Sequence, residues 1–177
     1  NGGATQIKGV TPDIIMPDYY NYMELNESYM DYPMPWDEIS SLTYNEWELP
    51  YDKDYIITLS NKRILNDTLF NLIDENGKRM KELRDNTNLS LNYSEFSNEY
   101  QLREAEGKKY ERIGKDPLKL AVEMLNSDQQ GIQSDTSKQA RWDAWIAGLT
   151  KDVYLLEASN ILKDIDNYQL KNARKEQ

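Results

Sequence analysis

The chain has 177 residues, carries 21 Lys plus Arg against 31 Asp plus Glu for a formal charge of −10, and contains no His and no Cys. That charge has the wrong sign for gripping a phosphate backbone, which argues against nucleic acid as a partner. The missing His and Cys exclude disulfides, Cys/His metal sites and His-based catalytic triads. The mean hydropathy of −0.86, and the lack of any run near the roughly 20 apolar residues of a membrane helix, predict no membrane span.

The charge is unevenly placed. Residues 1–54 hold eleven acids against Lys8 and Lys53, a net of −9, whereas residues 55–177 hold twenty acids and nineteen bases. The acidic leader also carries Pro12, Pro17, Pro33, Pro35 and Pro50, and eight of the thirteen tyrosines lie in it or at its edge. Five prolines disfavour long helices and central strands, so the leader is expected to run extended. Disordered acidic segments are poor in aromatics and this one is rich in them, which predicts an ordered arm whose aromatic side chains dock on a surface. Trp36, Trp47, Tyr19, Tyr20 and Tyr32 are the candidate docking residues.

From Asp52 the spacing becomes helical. Ile57, Ile64, Leu65, Leu69, Leu72, Ile73, Met80 and Leu83 fall at i, i+3, i+4 intervals, and Asp67 fits the N-cap that splits them into two helices. Gly77 inside the second predicts a kink or a frayed turn, with Glu75/Arg79 and Lys78/Glu82 as supporting i, i+4 pairs. A surface helix follows through Phe96, Tyr100, Gly107 and Tyr110 and ends near Gly114, supported by Glu99/Arg103, Glu104/Lys108 and Glu111/Lys115. Asp116-Pro117 predicts a short helix bearing Leu118, Ala121, Val122 and Leu125. Residues 127–140 are nearly devoid of large apolar side chains and predict a mobile loop. A short helical piece carries Trp142, Trp145, Ile146 and Leu149. The last helix starts near Asp152, with Leu155, Ala158, Leu162 and Ile165 as its apolar stripe, and residues 171–177 are expected to fray.

No residue is advanced as catalytic, cofactor-binding or metal-ligating. The serines show no nucleophile elbow and no Ser-Lys motif. Asp164-Ile165-Asp166 opens like a calcium loop, but Gln169 stands where its glycine belongs. The Asn-x-Ser/Thr sites at Asn26, Asn66, Asn88 and Asn92 are what sixteen asparagines produce by chance.

The opening Asn1-Gly2-Gly3-Ala4-Thr5-Gln6-Ile7-Lys8-Gly9-Val10-Thr11-Pro12-Asp13-Ile14 resembles the end of the peptidase domain in carboxy-terminal processing, or tail-specific, serine proteases of the bacterial envelope. Leu25-Asn26-Glu27-Ser28 and Pro35-Trp36-Asp37-Glu38-Ile39 resemble the acidic linker of the long, Prc-like branch, and Ser90-Leu91-Asn92-Tyr93 resembles part of its helical C-terminal domain. The resemblance implies a mainly α fold: a helical C-terminal accessory domain at 52–177, preceded by a short strand remnant at 1–14 and an extended acidic aromatic-rich arm at 15–51. It implies a periplasmic endopeptidase with a serine nucleophile and a lysine base, both upstream of the Gly-Gly turn. The partners it implies are the upstream peptidase and PDZ domains, a polypeptide substrate and an adaptor protein, with no cofactor. A free-standing helical module that binds protein or glycan through the aromatic arm is the alternative left open by the residues themselves.

Overall fold

The computed structural model describes residues 2–133 and 135–173. Six helices carry the fold: α1 (Lys53–Asn66), α2 (Thr68–Asp85), α3 (Tyr93–Tyr110), α4 (Asn126–Gln133), α5 (Thr136–Leu149) and α6 (Val153–Ala173). Most of them start where a short polar side chain can accept the orphan amide protons of a first turn. Asp52 accepts from the Tyr55 amide, Asn92 from Ser94, Asp135 from Ser137, and Asp152 from Tyr154 and Leu155. Asp67 ends α1 through its own N–H to the Ile64 carbonyl and caps α2 by accepting from Leu69 and Phe70.

α1 packs against α2 and α6, α2 against α3, and α4 against α5. The buried centre is small: Ile64, Phe70, Ile73 and Val153. Ile14, Met16, Tyr19, Leu69, Ile113, Leu118 and Tyr154 pack around it, so the core draws on the leader and on the α3–α4 connection as well as on helices. Residues 11–52 contain only one 3-10 turn, Glu27–Tyr29, and are otherwise without regular structure, as five prolines require. The described residues 2–14 hold no strand; the strand remnant is reduced to one antiparallel bridge between Gly3 and Glu38.

Several local expectations change. The segment after Pro117 is not helical: the Leu118 amide donates to the Thr150 carbonyl at 2.7 Å, and Leu118 is drawn onto the core. The loop expected over 127–140 is instead most of α4 and the start of α5. Asp135 caps α5, and Lys, Gln, Ala and Arg are all good helix formers, so a shortage of large apolar residues does not prevent a helix there. On α6 the inward side is Val153 and Glu157, one turn apart, whereas Leu162 of the expected stripe is 68% exposed. Leu65 of α1 is likewise exposed. Residues 171–173 continue α6, and 174–177 lie outside the described residues.

The expected intrahelical pairs on α2 are exchanged for others. Glu75 pairs with Lys109 of α3, Lys78 with Asp74, and Arg79 reaches the Arg103 carbonyl at 3.2 Å. Glu99–Arg103 and Glu111–Lys115 form as expected. Gly114, at φ +72°, takes the left-handed conformation that ends the turn after α3.

The accessible surface is 14258 Å² for 20.8 kDa. A compact monomer of that mass exposes about 8,900 Å².

Candidate functional site

The leader divides at about Met23. Its first part is bound to the bundle: Ile14, Met16 and Tyr19 pack on the core, and Lys53 anchors Asp13 at 2.5 Å. Tyr154 of α6 donates its hydroxyl to the Pro17 carbonyl at 2.7 Å, satisfying a backbone acceptor of the irregular leader. Burial, with the negative charge of Asp18 nearby, pushes the Tyr154 phenol up to about 12, so it remains a donor at any physiological pH. The Tyr22 hydroxyl donates to Asp74, and the Lys78 ammonium, paired with the same carboxylate at 2.8 Å, lies over the Tyr22 ring. Hydrogen bonds from Lys78 and Tyr22 hold the Asp74 carboxyl below its ordinary value.

Gly77 makes this seat possible. A β-carbon there would stand 3.1 Å from Tyr22 Cδ2 and 3.3 Å from the carbonyl oxygens of Asp18 and Tyr19. The helix carries its least favourable residue short of proline because the leader crosses the backbone at that point, and α2 runs through it without interruption. Gly77→Leu restores helix propensity but cannot coexist with the seated leader. We expect it to cost about 1–3 kcal/mol through overpacking, with new protease cleavage confined to residues 13–23 and helical circular dichroism retained.

The second part of the leader faces outward. Tyr32 is 99% exposed and Trp47 85%, and Met30, Met34, Ile39, Leu42 and Tyr44 are exposed with them. From Gly9 to Asp52 there are ten acids and no base. A cluster of contacts folds this stretch back on the start of the chain. The Trp36 indole N–H donates to the Ala4 carbonyl at 2.9 Å, Lys8 sits 3.2 Å above the Trp36 ring, and the Ile39 amide donates to the Gly2 carbonyl at 2.9 Å.

The five docking candidates therefore separate. Tyr19 docks within the chain. Trp36 is half-buried in the clasp with residues 3–8. Tyr20, Tyr32 and Trp47 are exposed, and none of them is among the described residues that pack on the buried core.

A second polar feature escaped sequence reasoning. Glu157, 4% exposed, accepts from the Ser60 hydroxyl at 2.7 Å and from Arg63 Nε and Nη2, while Arg63 Nη1 bonds Asp164 at 2.6 Å. Burial pushes the Glu157 carboxyl up, but the hydrogen bonds from Arg63 and Ser60 more than offset it and leave it below its ordinary 4.5. Ser60 is fully buried behind this carboxylate, so its hydroxyl is a structural donor out of reach of any substrate. A signal was present: Ser60 lies midway between Ile56 and Ile64, and Glu157 one turn from Val153, each a polar residue on an apolar face.

A family model described as the C-terminal domain of tail specific protease matches residues 20–167. A protein described as Tail-specific protease, from Haemophilus influenzae, is 38% identical over 97 residues, which cover 52% of this chain and 14% of that protein. The chain thus spans a small part of the length of the curated relative it matches. No solved structure matches it.

Proposed function

Because the chain belongs to the family of C-terminal domains of tail-specific proteases, we propose that it is a non-catalytic accessory domain of a periplasmic serine endopeptidase. In this reading the Ser/Lys active site lies in other parts of the protein, and the helical domain wraps the catalytic core and shapes the approach of a polypeptide's C-terminal tail. The observation that carries the reading is the outward half of the leader. An extended, ordered strap with exposed Tyr32, Met34, Ile39, Leu42, Tyr44 and Trp47 and no positive charge from Gly9 to Asp52 has the chemistry of an interface awaiting its other side. The complementary surface is basic and pitted with apolar pockets, and the peptidase body is the natural owner of it. Tyr and Trp are the side chains that most often carry such contacts.

Mixing the 177-residue chain with the separately produced PDZ and peptidase portion of the same protein tests this by calorimetry. Association is expected, and Trp47→Ala is expected to weaken it by roughly 30-fold, the effect of an interface hot spot of about 2 kcal/mol. Absence of heat at concentrations of about 100 μM sinks the reading. On its own the chain is expected to leave a protein with an unstructured apolar tail intact. Cleavage that a serine-directed inhibitor abolishes contradicts the non-catalytic assignment.

A further inference from the structure

The helical hairpin α4–α5 carries a second feature, remote in sequence from the strap. Trp142 and Trp145 meet edge to face with ring centroids 4.7 Å apart. With Ile132 of α4 they line an open cavity of about 350 Å³, and Lys138 and Arg141 complete its wall. Residues 138, 141, 142 and 145 share one face of α5, since they are separated by three, four and seven positions. The acids of the hairpin's second helix point to other duties: Asp135 caps α5, and Asp143 accepts from Gln139 at 2.9 Å. Among the described residues neither Lys138 nor Arg141 has an ion-pair partner. In a chain of net charge −10, two cations without an ion-pair partner among the described residues therefore stand beside a Trp-lined apolar recess.

Apolar walls rimmed by two cations match a ligand with an apolar body and one anionic end. The cavity lies at the small end of the roughly 300–1,000 Å³ range of ligand sites. It suits the last residue or two of a polypeptide and is too small for a long folded-back strap. We infer that this recess between α4 and α5 binds the C-terminal end of a polypeptide, its apolar last side chains against Trp142, Trp145 and Ile132 and its terminal carboxylate on Lys138 and Arg141. The inference rests on the accessory-domain reading, which makes a chain terminus the carboxylate at hand. It adds a binding site within the helical domain itself. An arginine and a carboxylate form paired, charge-assisted hydrogen bonds, so a free acid is distinguished from its amide.

The test is fluorescence anisotropy of a labelled short peptide with apolar last residues, titrated with the 177-residue chain. The free acid is expected to bind, and the C-terminal amide about tenfold more weakly, equal to about 1.4 kcal/mol. Lys138→Gln with Arg141→Gln should weaken the acid by at least that factor and abolish the difference between acid and amide. Trp145→Ala should weaken both forms, and Trp47→Ala neither. Equal affinities for acid and amide, or acid binding undiminished in the double variant, overturn the inference. So does a concentration-dependent dimer that the double variant abolishes, since the recess would then hold the acidic leader of a second copy. If no peptide binds while Trp47→Ala still weakens association with the peptidase portion, the tail site falls and the accessory reading stands. Tail binding without any such association keeps the tail site and removes the accessory reading.

Discussion

Glu157→Ala is expected to unfold the domain at temperatures the wild-type chain tolerates, with a loss of about 3–5 kcal/mol and a fall in Tm of roughly 6–20 °C. The substitution removes the acceptor for three donors at once and leaves the Arg63 guanidinium half-buried with only Asp164. It also breaks the Ser60–Glu157 bond, a buried polar tie between α1 and α6. The same network sets the response to acid. The folded-state Glu157 carboxyl titrates below its ordinary 4.5, so its contribution is complete above that value and is lost as pH falls through the lowered one. Urea midpoints measured from pH 7 downward should decline below about pH 4.5 in the wild type. In Glu157→Gln, where no charge can be lost at this position, the decline should be smaller. Equal slopes for the two proteins remove the network as a source of acid sensitivity.

Phe70→Ala is the second large effect, at about 3–5 kcal/mol. Phe70 is 2% exposed, and its ring meets Tyr154 edge to face at 5.7 Å. In a core with so few fully buried side chains, no other cluster can absorb the cavity. Because Tyr154 also holds Pro17, the void should loosen the leader along with the helices. Tyr154→Phe provides the contrast. It keeps the ring packing and removes only the hydroxyl, so a cost of about 1 kcal/mol is expected. Hydrogen exchange separates the two: the Tyr154→Phe variant should expose the leader alone, whereas Phe70→Ala should raise exchange in α1, α2 and α6 together.

Local chemistry makes much of the fold legible. Asp67 is readable as the divider of α1 from α2, because a cap declares itself in the adjacent residues, and the change of spacing places the helix starts near Asp52 and Asp152. Contacts between distant residues are not readable that way. Gly77 is a weak point of a helix by propensity alone, and only the leader crossing it explains its presence. The Ser60–Glu157 bond joins positions 97 residues apart, and no spacing rule reaches that far. The 118–125 segment carries a sound local helix signal, Asp116-Pro117, which loses to the bond between Leu118 and Thr150 and to burial of Leu118. On α6 the more apolar stripe is not the one that faces inward, since Glu157 brings its own partners with it. Of the candidate interaction residues, composition places the aromatics in the leader. It does not say which half is consumed by the bundle, because that depends on where the chain meets α2.

The hairpin of α4 and α5 packs chiefly on itself, joined to the rest through the Leu118–Thr150 contact and the start of α6. Such a unit can open and close without asking the rest of the molecule to unfold, so its amides should exchange on a faster clock than those of α1 and α2. Regions recruited for binding are commonly drawn from this low-stability end of a structure. The domain then has two tempos: a slow frame that keeps the leader seated, and a quicker hairpin beside it.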